Sequence, residues 1–219
     1  MKKITLLICM ISLVTQASSQ VEKLAGPRFG FTYITDGSLM YNLNSLPNVS
    51  DANPVIAQFG WQFERQFMNA GSTAGIVEFI PLLGGFEQGL FLPSFSTLVG
   101  IRKSNGFEFA MGPNLSLSGV GMVFGAGFNI KSGNINFPIN IAYVPSVNKL
   151  IDFDEFDASD IIYQGQDENG NDSYTYVGPT TYPNGESVII NPNGTPVDEF
   201  NWKTGHRISI IIGFNTSKN

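Results

Sequence analysis

Between Pro27 and Phe214 the chain repeatedly alternates apolar and polar residues, and short polar turns separate many of these segments. In 107–117, Phe107, Phe109, Met111, Pro113, Leu115 and Leu117 alternate with Glu108, Ala110, Gly112, Asn114 and Ser116. Successive strand side chains point to opposite faces, so such a strand has one oily face and one small, polar face. Eight segments read this way: about 27–35, 55–67, 73–83, 90–103, 107–117, 120–130, 135–145 and 203–214. The third is the least regular, with Val77 and Phe79 against Ile76, Glu78 and Ile80. Each has roughly the length a tilted strand needs to cross a hydrocarbon layer.

The connections alternate too. Met68–Ser72, Ser104–Gly106 and Lys131–Asn134 are short, polar and hairpin-like. The intervening set contains the long ones, Asp36–Pro54 and Ser146–Trp202. Small membrane barrels keep tight turns on the periplasmic side and extend loops outside. A soluble β-protein would turn the oily faces inward; a membrane barrel turns them to lipid. The pattern predicts an all-β fold, an eight-stranded antiparallel up-and-down transmembrane β-barrel. Residues 20–219 form its single domain, with 146–202 as a long extracellular hairpin loop. Phe59, Trp61, Phe107, Phe109, Met122, Phe124, Phe128, Phe137, Ile139 and Ile210 are the expected lipid-facing residues.

The first nineteen residues read as a cleaved export signal. Lys2 and Lys3 precede the apolar run Ile4–Val14, and Ala17-Ser18-Ser19 offers small residues for cleavage. Cys9 lies inside that run, so the mature chain has no thiol for a disulfide, a nucleophile or a metal site. Without Lys2 and Lys3, ten basic residues face eighteen acidic ones, a net charge of −8, which argues against nucleic acid as a partner. Low charge content, 24 glycines and 18 phenylalanines suit an outer-membrane barrel better than a periplasmic enzyme.

Ile101-Arg-Lys-Ser-Asn-Gly-Phe-Glu-Phe109, Gly112-Pro-Asn-Leu-Ser116, Gly125-Ala-Gly-Phe128 and Lys131-Ser-Gly-Asn-Ile-Asn-Phe-Pro138 resemble small outer-membrane β-barrel proteins of Gram-negative bacteria. The resemblance covers most of Leu24–Phe214. It implies outer-membrane lipid and lipopolysaccharide as surroundings, and the barrel-assembly machinery as a partner during insertion. Phe214 resembles the terminal aromatic residue that machinery reads, although five residues follow it.

The predicted inner face carries Arg28, Glu64, Arg102 and Glu108 near the periplasmic end, Glu78 nearer the middle and Arg207 nearer the outside. Buried charges need partners. An eight-stranded barrel has room only for side chains, so a plug of paired charges is expected rather than a pore. His206 is the only histidine, and no serine or aspartate partner is identifiable from spacing. No enzyme activity and no cofactor are expected. Asp167, Asn169 and Asp172 offer oxygen ligands for Ca²⁺, but the spacing is not an EF-hand and suits a hairpin turn better. Asp152, Asp154, Glu155, Asp157 and Asp160 make the loop acidic, a possible surface for an extracellular partner. Tyr33, Trp61, Tyr143 and Trp202 fit interfacial girdles.

Four functions are consistent with this pattern. The leading one is a filled barrel anchoring a loop for adhesion, envelope organisation or partner binding. The others are a narrow ion or small-solute channel, a lipid-modifying outer-membrane enzyme, and a soluble exported barrel or sandwich.

Overall fold

A computed structural model describes residues 21, 23–46, 49, 51–152 and 158–216. The export-signal reading falls on residues outside that set. Eight strands form one closed antiparallel barrel: β1 (Gly26–Ile34), β2 (Val55–Ala70), β3 (Thr73–Gly84), β4 (Leu92–Lys103), β5 (Phe107–Ser116), β6 (Gly119–Ser132), β7 (Ile135–Val144) and, after four loop strands, β12 (Arg207–Gly213). Each strand pairs with its neighbour in sequence order, and β12 closes the ring by pairing with both β7 and β1. Closure leaves no free sheet edge. Following the register once around the ring returns to β1 about ten residues further along, a stagger that tilts the strands by roughly 40°.

The eighth strand continues in the same register through β13 (Asn215–Thr216), which also pairs with β7. Its break at Phe214 lies opposite Phe137 and Pro138, and proline has no N–H to give the ladder. Pro81 and Pro113 leave similar gaps in the β2–β3 and β4–β5 ladders.

The alternation is realised with the oily side out. Phe109, Phe124 and Ile139 are exposed on the cylinder wall, while Ala110, Val123 and Asn140 face inward. The same holds for Phe59, Trp61, Phe107, Met122, Phe128, Phe137 and Ile210, all on the outer surface. Glycines let the wall curve tightly. A Cβ on Gly100 would collide with the Phe109 carbonyl and the Ala110 side chain, whereas one on Gly125 would meet only ordinary contacts near 3.6 Å. Gly100→Ala is therefore expected to cost about 1–3 kcal/mol by overpacking, and Gly125→Ala close to nothing, as read from urea unfolding of the refolded protein.

At the turn end, the connections β2–β3, β4–β5 and β6–β7 are two or three residues long. The loop end carries more structure than the alternation suggests. A seven-residue helix, α1 (Ser38–Asn44), lies in the β1–β2 connection. It is too short to persist alone. Packing holds it: Met40 and Leu43 bury against Ile34, Ile56, Ala52 and Leu90 over the mouth of the barrel. The Asn44 side chain accepts a hydrogen bond from the Ala52 N–H at 2.7 Å and clamps the return chain.

The long loop rises on a two-stranded base, β8 (Asn148–Asp152) paired with β11 (Glu199–Lys203). Lys203 pairs with Asn148 in that base, so the eighth barrel strand starts at Arg207 and not at 203. Inside the loop, β9 (Ile161–Gln166) and β10 (Asp172–Tyr176) form a hairpin. Tyr182 stacks on Phe200 with ring centroids 4.5 Å apart, and both are buried in a small core of their own with Trp202 at its edge. Trp202 also meets Tyr41 of α1 at 5.1 Å. It is thus a loop residue, not a member of a girdle on the barrel wall, where Tyr33, Trp61 and Tyr143 do stand exposed.

Candidate functional site

The lumen is layered. At the turn end, Arg102 of β4 organises three carboxylates. It pairs directly in register with Glu108 of β5, and its Nε donates to Glu108 Oε2 at 2.6 Å. Its two terminal nitrogens grip Glu64 of β2 in a fork at 2.7 and 2.6 Å. Nη2 also lies 3.4 Å from Glu78 of β3. Glu64 and Glu78 stand directly opposite each other on β2 and β3, so without Arg102 two like charges would face one another across the ladder. That register explains why Glu78 belongs to this layer and not to mid-barrel. β2 runs three residues beyond the predicted 67, so Glu64 sits further from its turn than the prediction implied.

Arg28 completes the layer without a carboxylate of its own. Its Nε donates to Gln62 at 2.9 Å, and its other nitrogens donate to the carbonyls of Pro27 (3.0 Å) and Leu24. Gln62 in turn donates to Glu78, and Asn140 donates to Glu108 at 3.1 Å. Gly213 leaves the space in which the Arg28 guanidinium lies. The segment before β1 enters this layer: Leu24 is buried, its N–H donates to Glu64 at 3.1 Å, and Gln66 donates to the Val21 carbonyl at 2.8 Å. No local periodicity marks that segment as part of the plug.

Above the charges lies an apolar layer of Leu98, Ala110, Val123 and Val144, with Ile80 and Ala142 against it. Above that, Thr32, Ser209 and Gln58 form a hydrogen-bonded polar group, with Ser96 and Asn114 joined at 3.0 Å. Arg207 sits apart from the other five charges, at the loop end, where Nη1 donates to Ser116 Oγ at 2.9 Å.

His206 is exposed at the rim and stacks on Tyr143, with centroids 5.8 Å apart. Its Nδ1 lies 2.7 Å from Tyr143 Oη and accepts the Ser146 N–H at 3.2 Å. Ser146 Oγ is itself an acceptor for the Gly205 N–H at 3.0 Å. These contacts fasten the last loop to β7; among the described residues they do not assemble a nucleophile, base and orienting acid.

The carboxylates of Asp167 and Asp172 have separate hydrogen-bond partners. Asp167 Oδ1 accepts the N–H groups of Asn169 and Asn171 at 2.8 and 2.9 Å, closing the β9–β10 turn. Asp172 accepts from Tyr163 at 3.3 Å instead. Among the described residues no three His, Cys, Asp or Glu side chains are grouped to hold a metal ion. The hydrogen bonds from Asn171, backbone first, hold the Asp167 carboxyl below its ordinary value of 3.8. A lowered value means the ionised form favours the closed turn, so this support is present above the ordinary value and fades as pH falls through the depressed one. In an NMR titration the amide signals of Asn169 and Asn171 are expected to move together, with a midpoint below 3.8. Of the acidic loop residues, Asp152 ends β8 opposite Glu199 and Asp160 closes a short 3-10 turn, its carbonyl accepting the Val177 N–H at 2.8 Å. Asp154, Glu155 and Asp157 lie outside the described residues.

Compared with protein-family models, with curated proteins and with solved structures, the chain has no significant match.

Proposed function

We propose that the protein is an integral outer-membrane barrel whose filled lumen makes it an anchor, and whose region 146–202 is its extracellular working surface. One observation carries this reading: a closed cylinder wears most of its large apolar side chains outside, while Arg28, Arg102, Glu64, Glu78 and Glu108 are buried inside it. Monomeric proteins in water rarely expose apolar patches above a few hundred Å². Placing some two dozen large apolar side chains in hydrocarbon is favourable by tens of kcal/mol, at about 1.5–3 kcal/mol each. Strands of 9 to 16 residues in β1–β7 suit the span of a bilayer.

The layering favours an anchor over a conduit. The Arg102 cluster occupies one end, the aliphatic layer the middle and α1 the other mouth. The strapped base of the loop and its aromatic core give a firm platform for adhesion, envelope organisation or binding of an external partner. Lipopolysaccharide is the natural neighbour of the outer leaflet, and the assembly machinery the partner during insertion.

Fractionation followed by gel mobility tests the reading. The protein should sediment with outer membranes, need detergent for release and run faster unheated than boiled. Release with the soluble periplasmic contents would refute it. In planar bilayers the purified barrel should add no steady single-channel conductance.

A further inference from the structure

Arg207 differs from the other two lumen arginines. Arg102 and Arg28 are saturated with acceptors, whereas Arg207 is half-buried and, among the described residues, is hydrogen-bonded to the Ser116 hydroxyl alone. Its Nη2 lies over Gly121, where even a Cβ would come within 3.3 Å, so the missing side chain there makes room for the guanidinium and not for an acceptor. A guanidinium withdrawn from water without an anion is costly, and its planar fork matches a carboxylate.

The same arginine lines a cavity of about 70 Å³ beneath α1. Leu39, Leu43, Ile56 and Leu92 form its apolar side. At about 10–15 Å³ per water-sized occupant, it has room for on the order of six heavy atoms. It also has a way in. Pairing between β4 and β5 stops at Ser94–Ser116, while β4 continues through Pro93 and Leu92 paired only to β3. At this rim β4 thus outruns β5 beside Leu117 and Ser118, which line the same cavity, and we read the step between them as its entrance.

We propose that this cavity binds a short-chain carboxylate, its acid group paired with Arg207 and its alkyl part among Leu39, Leu43, Ile56 and Leu92. Hydroxyls at the rim and a lone cation select an anionic head; the leucine side selects an alkyl tail of about three carbons over a compact inorganic anion. The assignment rests on the cavity and not on the anchor reading, and it stands whether or not the loop above has a partner.

The test uses the full folded chain in nanodiscs of uncharged lipid, with butyrate as the probe and calorimetry or ligand-observed NMR as the readout. Butyrate should bind saturably, at least about tenfold tighter than acetate, 1-butanol, butylamine or inorganic phosphate. Arg207→Gln should weaken it by about tenfold or more, the scale of a lost charged hydrogen-bond pair. Arg207→Lys should retain part of the binding, and Ser94→Leu, which obstructs the entrance and leaves Arg207 in place, should abolish it. Each variant is first required to show the heat-modifiable mobility of the parent. Equal binding of butyrate and butanol would overturn the proposal, as would preference for phosphate or an Arg207→Gln variant that binds butyrate like the parent. These outcomes are distinguishable from failure of the anchor reading, which is decided by fractionation.

Discussion

Arg102→Met is expected to lower the unfolding free energy of the barrel by about 3–5 kcal/mol, the scale of breaking a buried ion pair by removing one partner. Arg102 is 2 % exposed and is the shared partner of Glu64, Glu78 and Glu108. Removing it leaves three buried carboxylates with neutral donors and with Arg28, whose own hydrogen bonds go to Gln62 and backbone carbonyls. The measurement is urea unfolding of the refolded protein in vesicles. Charge, not lost volume, is the cause if neutralising the orphans restores stability. Glu64→Gln and Glu108→Gln added to Arg102→Met should therefore recover a large part of the loss, although each destabilises the parent. Such non-additivity is what a shared network predicts. A triple variant as unstable as Arg102→Met would count against this account. Arg102→Lys should fall between, because one ammonium cannot reproduce the fork on Glu64 together with the bond to Glu108.

Part of this network is legible in the primary structure, and part is not. Parity alone places Arg28, Glu64, Glu78, Arg102 and Glu108 on the inner face, because side-chain direction in a strand depends only on odd and even positions. Which charges meet depends on register between strands far apart in sequence. Glu64 and Glu78 become neighbours through the β2–β3 pairing, and a regular offset along each strand separately does not reveal that. Seven strand positions follow from the alternation within about three residues at each end. The eighth start is displaced because Lys203 and Trp202 continue the apolar–polar pattern while pairing within the loop. The helix α1 escapes notice for another reason. Its apolar positions, Leu39, Met40 and Leu43, span little more than one turn, and only the oily mouth formed by Ile34, Ile56 and Leu90 makes them a helix face. The cavity at Arg207 is hidden in the same way, since its walls come from α1, from β1 to β5, from the β5–β6 turn and from β12.

Phe124→Arg is expected to cost about 2–4 kcal/mol in a phospholipid bilayer, the penalty for arginine facing lipid near mid-membrane. Phe124 lies midway along β6, on the outer wall between Met111 and Tyr143. The discriminating feature is a depth profile along one strand. Val120 and Ile130 share the outer face of β6 but lie near its two ends, and both are exposed. Arginine there should cost only about 0–1 kcal/mol, because the interface hydrates it. A water-soluble cylinder makes the opposite forecast. An exposed phenylalanine replaced by arginine in water gains hydration, so all three variants would be neutral and no profile would appear. Gly125→Arg completes the comparison. Gly125 lies between Ala110 and Ala142 on the inner face, so its arginine should fail by overpacking the aliphatic layer in bilayer and detergent alike. Guanidinium unfolding in vesicles, run on Val120→Arg, Phe124→Arg and Ile130→Arg together, therefore reads the solvent around the barrel. A cost that peaks at 124 requires hydrocarbon, and a flat series requires water.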